Sequence, residues 1–242
     1  MNNTKQVALV TGANKGIGFE TARQLAQRGF IVWLGSRDET RGVAAVKALA
    51  NDGDVRFVRL DVTDLESVRA AADRIGKETG ALDVLINNAG VLVDDDSLPS
   101  TVPLDALART FDVNFYGLIR VTQAFLPLVQ RAKAGRIVNV SSTMGSVTTV
   151  VAPDSPLAQF PTFAYASSKT AVSAVTAWLA LELRGTPIKV NAICPGYNDT
   201  DLNKHAGHLH PSEGAKVAVR AATLEANGPT GTFFDANGTV GW

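Results

Sequence analysis

The sequence predicts a single α/β domain in which a doubly wound parallel sheet of about seven strands carries helices on both faces. Two observations lead to this prediction. Short runs of Val, Ile and Leu alternate with longer helix-like segments along the 242 residues, and such alternation is typical of strands joined by right-handed helical crossovers. The strand-like runs are apolar at nearly every position, which suits strands buried on both faces.

The strands are predicted from runs that are short and rich in residues of high β propensity. A seventh strand around Thr232–Phe234 is expected to close one edge of the sheet. In chain order, the six strands before it are Val7–Thr11, Ile31–Leu34, Val55–Leu60, Val84–Asn87, Arg136–Ser141 and Lys189–Cys194.

The longer segments between these strands are predicted to be helices. The fourth is long enough to be one kinked helix, with Gly117 inside it and Pro127 near its end as the expected irregular points. The predicted helices are Ile17–Arg28, Arg41–Ala50, Leu65–Glu78, Leu104–Arg131 and Tyr165–Leu183.

The composition indicates an ordinary globular protein with balanced charge. Hydrophobic residues make up 45%, and 23 basic residues balance 23 acidic ones. No Lys/Arg run favours nucleic acid or a membrane, so a small molecule is the expected partner. Cys194 is the only cysteine and is expected to pack in the core, without an intramolecular disulfide. Because no apolar run resembles a signal peptide or a membrane span, the expected location is cytoplasmic.

No linker or internal repeat divides the chain, so residues 1–242 are expected to form one domain. Three segments of it, 91–103, 143–164 and 196–211, are expected to be substrate loops. They follow the C-terminal ends of predicted strands, where open α/β sheets bind their ligands. The second and third are unusually long for loops of a compact domain.

A glycine-rich turn joins the first predicted strand to the first helix. Residues Thr11–Gly18 read Thr-Gly-Ala-Asn-Lys-Gly-Ile-Gly. Glycines permit a tight turn and close backbone approach, and the helix N-terminus offers unpaired N–H groups to an anion. The turn therefore predicts a binding site for the pyrophosphate of a dinucleotide.

This turn resembles the glycine pattern of the short-chain dehydrogenase/reductase family, and the resemblance continues in order along nearly the whole chain. Asn87–Gly90 resembles the family's Asn-Asn-Ala-Gly signature, Asp61-Val62 its adenine-contacting pair, and Pro195-Gly196 the segment beside the nicotinamide. The resemblance implies a Rossmann-type domain that binds NAD(P). The implied cofactor-binding residues are Gly12, Asn14, Lys15, Gly16, Ile17, Gly18, Ser36, Arg37, Asp61, Val62, Asn88, Ala89, Gly90, Tyr165, Lys169, Pro195 and Gly196.

The charges after the second strand favour NADPH over NADH. The 2′-phosphate of NADPH needs a cation, whereas the ribose diol of NADH needs a carboxylate. Ser36 stands where family members that prefer NAD usually have an acidic residue, and Arg37 follows it. Lys15 adds a second cation nearby. The alternative is that these cations are ordinary solvated loop charges, and the neighbouring Asp38 keeps that alternative open.

Tyr165 and Lys169 stand four residues apart and so share one face of the predicted helix. A nearby ammonium favours the phenolate and is expected to lower the pKa of Tyr165 from its ordinary value of about 10. This spacing also occurs by chance on solvated helix faces. Neither Tyr116 nor Tyr197, the remaining tyrosines, has a lysine four residues on, so Tyr165 is the predicted general acid/base.

The resemblance implies a catalytic set of Asn114, Ser142, Tyr165 and Lys169. Ser142 would orient the substrate oxygen. Ser141 is its competitor, but alternation sends the two serines to opposite faces of the strand and the family pattern matches the second. Lys169 would hold the nicotinamide ribose, and Asn114 would tie the lysine to solvent through a water. Asn114 could also satisfy irregular backbone in the long helix.

The distance from Ser142 to Tyr165 is 23 positions, longer than in compact members of the family. The inserted stretch and two other segments resemble the NADPH-dependent carbonyl reductase subgroup. In that subgroup an insertion at this place can shield a helix face used for oligomerisation, which favours a monomer or homodimer over a tetramer. The segments that carry this resemblance are 147–153, 160–163, 195–202 and 231–238.

Two polar clusters and one apolar set complete the candidate residues. The histidines at 205, 208 and 210 and the aspartates at 94–96 are interpreted as a mobile substrate-side loop and a solvated loop, so no metal is predicted. With no cation clearly directed at the pocket, a neutral hydrophobic aldehyde or ketone is the expected substrate. The apolar candidates for the pocket are Leu92, Val93, Met144, Phe160, Phe163 and Tyr197.

The sequence therefore predicts an NADPH-dependent carbonyl reductase that can also act as an alcohol dehydrogenase. Within the enzyme class, the alternative is a dedicated biosynthetic ketoreductase or a steroid-type dehydrogenase. From another class, the alternative is a non-catalytic regulator that senses the dinucleotide. The complete set of Ser142, Tyr165 and Lys169 argues against the sensor, because a protein that only binds has little use for the phenol.

Overall fold

The structure, a computed structural model, describes residues 5–93 and 97–242. These residues contain one seven-stranded sheet in which every pair of neighbouring strands is parallel. The predicted doubly wound fold is confirmed, including the strand at the edge. The strands are β1 (Val7–Val10), β2 (Ile31–Ser36), β3 (Asp54–Arg59), β4 (Val84–Asn87), β5 (Arg136–Val140), β6 (Lys189–Ile193) and β7 (Thr232–Phe234).

The strand order β3-β2-β1-β4-β5-β6-β7 reverses direction at β1. The chain winds outward from β1 to β3, then returns to the other side of β1 with β4. A crevice opens between the carboxyl ends of the strands at such a reversal, and ligands of open α/β sheets bind there. The topology therefore places the candidate site above β1 and β4.

Helices cover both faces of the sheet. Asp38 and Asp64 begin two of them by accepting hydrogen bonds from the backbone N–H groups of Arg41 and Glu66, as N-cap residues do. The helices are α1 (Gly16–Gln27), α2 (Glu39–Ala48), α3 (Leu65–Thr79), α4 (Leu104–Phe111), α5 (Gly117–Val129), α6 (Val147–Val150), α7 (Phe163–Glu182) and α8 (Pro211–Ala222).

The core has two layers, one on each face of the sheet. One cluster joins the sheet to α1 and α8, with Leu25 and Val219 among its buried members. The other joins it to α3, α5 and α7, with Phe125 and Leu179 among its members. Burial of these apolar side chains is the main force that holds the helices against the sheet.

The predicted single helix over Leu104–Arg131 is wrong, because a π-helical turn at Asp112–Tyr116 separates α4 from α5. Gly117 follows this turn, and Pro127 lies inside α5 without ending it. Within the turn, Asn114 uses its side-chain amide to bind the backbone of a neighbouring loop. Single π-turns inside helices are frequent at functional sites.

Helix α8 is absent from the sequence-based prediction. Its start carries a recognisable signal, since Pro211 occupies the first turn and His210 accepts a hydrogen bond from the N–H of Ser212. Its buried face is composed mainly of Gly and Ala, including Gly214 and Ala218. These small residues allow α8 to pack closely on α1.

The predicted loop at 143–164 is also partly helical. It contains 3-10 turns at Thr143–Gly145 and Pro156–Gln159, with α6 between them, and α7 begins at Phe163. No helix in the described ranges is both long and apolar enough to span a bilayer.

Candidate active site

A cleft of about 830 Å³ lies at the carboxyl ends of the strands on both sides of the reversal point. The structure brings most of the predicted cofactor-binding residues to its wall, from the glycine-rich turn to Lys169 and Pro195. Gly196, Ser142 and Asn114 are not among the wall residues. The wall residues that the sequence did not predict to bind the cofactor include Arg41, Thr63, Thr200, Asp201 and His205.

The glycine-rich turn is held directly against the Asn-Asn-Ala-Gly segment. Gly12 has a φ of +63°, and a Cβ there would lie 2.9 Å from Ala89 Cα. A Cβ on Gly18 would lie 2.5 Å from Asn88 Nδ2. The Oγ1 of Thr11 accepts hydrogen bonds from the N–H groups of Asn88 and Ala89, both at 3.0 Å. Both glycines are therefore required for this close approach, which leaves the N-terminus of α1 facing the cleft.

The cleft wall at the end of β2 contains cations, as the predicted preference for NADPH requires. Asp38 is not available as a ribose acceptor in this arrangement, because its carboxylate caps α2 and pairs with Arg41 at 3.4 Å. Buried Ser36 donates a hydrogen bond to the Asp38 carbonyl at 3.0 Å. The guanidinium-bearing residues Arg37 and Arg41 both line the cleft.

Lys15 reaches across the cleft and pairs with Asp201, which follows β6. His205 lies beside this pair and contacts Asp199 at 2.6 Å and Asp201 at 2.9 Å. The lysine ammonium lowers the pKa of the Asp201 carboxyl, and the hydrogen bond with Asp199 raises the pKa of His205. These side chains connect the loop after β6 to the glycine-rich turn.

Tyr165 and Lys169 lie one turn apart on α7, as predicted, and both line the cleft. Lys169 is buried, and its Nζ donates a hydrogen bond to the carbonyl of Val140 at 2.8 Å. Lys169 Nζ lies 5.5 Å from the centroid of the Tyr165 ring.

The predicted lowering of the Tyr165 pKa is wrong for this arrangement. Burial raises the pKa of Tyr165, the charge of Cys194 adds to the effect, and a hydrogen bond with Ser142 opposes it. Burial also lowers the pKa of Lys169 to about 8. Removing water penalises the charged form of both groups.

The two serines after β5 diverge, as the alternation of the strand predicts. Ser142 lies close enough to the Tyr165 phenol to favour its phenolate form, and its Oγ accepts from the N–H of Met144 at 3.2 Å. Ser141 also lines the cleft, but its buried hydroxyl is engaged by α7, where it donates to the carbonyl of Lys169 at 3.1 Å. Ser142 is therefore the serine that lies beside the phenol.

Asn114 lies in the π-helical turn behind the cleft and is buried. Its Oδ1 accepts from the N–H of Val91 at 2.8 Å, and its Nδ2 donates to the Val91 carbonyl at 2.9 Å and to Ser168 Oγ at 3.0 Å. Both amide hydrogens are thus engaged inside the protein. Asn114 satisfies irregular backbone, one of the two roles considered from the sequence.

The segment after β6 is fixed by another asparagine. Gly196 adopts a φ of +82°, and the Nδ2 of Asn198 donates to the carbonyls of Pro195 and Gly196 at 2.8 and 2.9 Å. The turn thereby keeps Pro195 on the cleft wall. Cys194, just before it, is buried.

The three histidines do not form a metal site. His205 pairs with aspartates, His208 packs near the Tyr197 ring with centroids 6.0 Å apart, and His210 caps α8. Among residues 5–93 and 97–242, no three His, Cys, Asp or Glu side chains are arranged to hold a metal ion. The aspartates at 94–96 lie outside the described residues.

The apolar candidates divide between the cleft and its surroundings. Leu92 lines the cleft itself. Phe160 and Tyr197 belong to different loops, and their rings approach with centroids 6.3 Å apart. Both rings are partly exposed, at 48% and 40%, so they can still contact a ligand. Met144 contacts the segment that follows Phe160, since Thr162 Oγ1 approaches its sulfur at 3.8 Å.

Comparison with known proteins gives a consistent result. The family model described as short chain dehydrogenase matches residues 6–209. The chain is 36% identical to (-)-isopiperitenone reductase of Mentha piperita over 97% of both chains. It is 35% identical to carbonyl reductase [NADPH] 1 of Mus musculus over the whole of both chains.

Among solved structures, an NADPH-bound carbonyl reductase from chicken fatty liver superposes with a TM-score of 0.86 at 25% identity, covering 98% of this chain and 99% of that one. The family match covers most of the chain, and the curated relatives exceed 30% identity over nearly their full length. The chain therefore belongs to the short-chain dehydrogenase/reductase family of oxidoreductases.

Proposed function

We propose that this protein is an NADPH-dependent carbonyl reductase, reversible as an alcohol dehydrogenase, that acts on small neutral hydrophobic aldehydes and ketones. It is an NADP-dependent oxidoreductase of carbonyl and CH–OH groups. The observation that carries the proposal is the meeting of a phenol, a hydroxyl and an ammonium, from Tyr165, Ser142 and Lys169, beside a cleft that begins at a glycine-rich turn.

The residues of the cleft fit a dinucleotide phosphate. Gly12 and Gly16 have positive φ values, and both line the cleft beside the N-terminus of α1. Arg37, Arg41 and Lys15 supply cations on the same wall. The backbone N–H groups of the glycine-rich turn would hold the pyrophosphate, and the cations would hold the 2′-phosphate by their charge. Relatives whose names or titles include NADPH support the same cofactor.

Bound NADPH supplies the hydride that is added to the carbonyl carbon. Tyr165 donates its phenolic proton to the carbonyl oxygen as negative charge develops there, so the product is an alcohol. Ser142 hydrogen-bonds the same oxygen and orients the carbonyl. Lys169 lies behind the Tyr165 ring, where its ammonium favours the phenolate that the proton transfer leaves.

The environment of Tyr165 keeps the phenol protonated at neutral pH. Burial raises the pKa of Tyr165, so the group that meets the substrate carries the proton that carbonyl reduction consumes. In the oxidation direction the same group must first lose that proton.

The substrate class is supported by what surrounds the phenol. Leu92, Phe160 and Tyr197 offer apolar surface near the cleft, and Lys169 is already bonded to the protein backbone. A neutral carbonyl compound would gain from burial of its apolar part, whereas an anionic keto acid would lack a matching cation.

The test is the oxidation of NADPH with a panel of carbonyl compounds. Neutral aryl ketones and aldehydes are expected to have higher kcat/KM values than anionic keto acids of similar size. Better turnover of the anions would contradict the substrate class. Absence of turnover with every compound would contradict the activity and favour a protein that only senses the dinucleotide. The sequence arguments for a monomer or homodimer and for the cytoplasm also stand as proposals.

A further inference from the structure

Ser168 lies between Tyr165 and Lys169 along α7, and its side chain is fully buried. Its Oγ donates a hydrogen bond to the carbonyl of Tyr165 at 2.7 Å. The same oxygen accepts a hydrogen bond from Asn114 Nδ2 at 3.0 Å. The hydroxyl therefore joins the helix that carries the phenol to the π-helical turn that carries Asn114.

Asn114 extends this connection to the cleft wall. It holds both the N–H and the carbonyl of Val91, and Val91 and Gly90 line the cleft. A Cβ on Gly90 would lie 3.4 Å from Asn114 Oδ1 and 3.5 Å from Lys169 Nζ. The chain of contacts from Val91 through Asn114 to Ser168 thus fixes the distance between the wall and α7 at the level of Lys169.

The direction of each hydrogen bond is determined by the groups involved. The single hydroxyl hydrogen of Ser168 is used by the Tyr165 carbonyl, so only a lone pair remains for Asn114. Asn114 must therefore present Nδ2 to Ser168 and Oδ1 to the N–H of Val91. Loss of the hydroxyl would leave one buried N–H of Asn114 without its partner, and nothing would then fix the amide relative to α7.

We propose that Ser168 is a positioning residue for carbonyl reduction. It fixes the position of the π-helical turn and of the cleft wall at Val91 relative to Tyr165 and Lys169. The inference rests on the proposed function of these two residues. Ser168 acts through Asn114 and the α7 backbone, without contacting the reacting atoms. Because misplacement of reacting groups by about 1 Å can cost up to about 100-fold in rate, loss of this connection should reduce kcat more than cofactor affinity.

Helix α7 offers a matched control two turns later. Thr176 is also fully buried; its Oγ1 donates to the carbonyl of Val172 at 2.9 Å and accepts from Asn139 Nδ2 at 2.9 Å. The chemical arrangement is the same as at Ser168, but neither Thr176 nor Asn139 lines the cleft. Thr176→Val removes the hydroxyl while preserving the shape of the side chain.

The experiment compares Ser168→Ala, Thr176→Val and Tyr165→Phe by thermal unfolding and steady-state kinetics with NADPH and an aryl ketone. Both hydroxyl deletions are expected to lower Tm to a similar extent. Only Ser168→Ala is expected to lower kcat, by about tenfold, with KM for NADPH changed by less than about threefold. Should the alanine variant not fold, Ser168→Cys, which keeps a weaker donor and acceptor, carries the same expected result.

An unchanged kcat in the Ser168 variant would overturn the inference, as would an equal loss of kcat in Thr176→Val. These outcomes are separable from failure of the proposed function. Turnover that survives in Tyr165→Phe would refute the proposed function itself, whereas an inactive Tyr165→Phe together with a fully active Ser168→Ala would refute only the role of Ser168.

Discussion

Lys169 approaches Tyr165 at the ring, with Nζ 5.5 Å from the ring centroid, while it donates to the Val140 carbonyl at 2.8 Å. The two residues are therefore neighbours on one helix face, but the ammonium is anchored to the end of β5. Burial penalises the charge of each, which raises the pKa of Tyr165 and lowers that of Lys169 to about 8. The Tyr165 phenol therefore keeps its proton until negative charge develops on the carbonyl oxygen of the substrate.

The lowered pKa of Lys169 predicts how stability depends on pH. The folded protein loses the lysine proton near pH 8, whereas the unfolded chain keeps it until its ordinary pKa of 10.5. Between about pH 8 and about pH 10 the unfolded state binds more protons, so the free energy of unfolding should rise with pH. Above about pH 10, the raised pKa of Tyr165 acts in the opposite direction.

Urea unfolding of the free enzyme at about pH 7.5 and about pH 9.5 measures this effect. The Lys169 contribution should increase the free energy of unfolding by about 2 kcal/mol over that interval. Lys169→Met should remove this rise, and subtracting its curve from that of the wild type cancels the other groups. Identical pH dependence in the two proteins would show that the pKa of Lys169 is not lowered in the folded state.

Gly90 is predicted to preserve space for a water between Asn114 and Lys169. A Cβ added at Gly90 would lie at ordinary van der Waals distance from Asn114 Oδ1 and Lys169 Nζ. The Gly90→Ala variant should therefore fold normally. The added methyl would occupy the space through which a water could carry protons to the lysine. We expect kcat to fall about tenfold with little change in Tm.

Steady-state kinetics and thermal unfolding of Gly90→Ala check this prediction together. A wild-type kcat would mean that the space has no part in proton transfer. A rise in KM for NADPH with kcat unchanged would instead indicate that the methyl only obstructs the cofactor.

Arg37 is predicted to set the preference for NADPH. It lines the cleft beside Arg41, and the carboxylate of Asp38 is engaged as a helix cap. Arg37→Asp replaces an attractive charge with a repulsive one at the 2′-phosphate. The ratio of kcat/KM for NADPH to that for NADH should fall by about 100-fold.

The matched control is Arg109→Asp, which exchanges the same charges on α4, away from the cleft wall. This control should leave the cofactor ratio unchanged. If Arg37→Asp also leaves the ratio unchanged, the assignment of the 2′-phosphate site to the end of β2 is wrong.

Asp201 is predicted to compete with the cofactor for Lys15. The two side chains are paired in the cleft, and NADPH carries several negative charges that the carboxylate repels. Asp201→Asn should therefore free Lys15 and lower the Kd for NADPH by about threefold, a modest change because the pair is exposed to solvent. Isothermal titration of NADPH provides the measurement.

Asp105→Asn is the control for this prediction, since it removes an exposed, paired carboxylate on α4. Its Kd for NADPH should equal that of the wild type. A higher Kd for NADPH in Asp201→Asn would show that the pair of Lys15 and Asp201 helps to form the binding site and does not compete with the cofactor.

The sequence was sufficient for the sheet and for the order of its elements. The apolar runs at Val7, Val84 and Lys189 begin strands at the predicted residues, because strands buried on both faces leave a continuous apolar signal. The glycine-rich turn was also located by its spacing, since close approach to the backbone of Ala89 tolerates no larger residue than Gly12.

The features that could not be predicted depend on contacts between distant residues. The π-helical turn is held by the bonds of Asn114 to Val91, 23 residues away in the chain. Helix α8 is different, because Pro211 and the cap by His210 mark its start in the sequence. The sign of the Tyr165 pKa shift depends on burial, which the four-residue spacing to Lys169 does not reveal. The pairing of Lys15 with Asp201 joins two loops 186 residues apart.

The central claim is that Tyr165 donates the proton during hydride transfer to a carbonyl. Tyr165→Phe removes only the hydroxyl, and its NADPH affinity and turnover of an aryl ketone should be measured together, with Tyr116→Phe as the control. The account predicts that kcat falls by at least about 100-fold in Tyr165→Phe while NADPH still binds, and that Tyr116→Phe behaves as the wild type. Turnover of Tyr165→Phe at the wild-type rate would contradict the account.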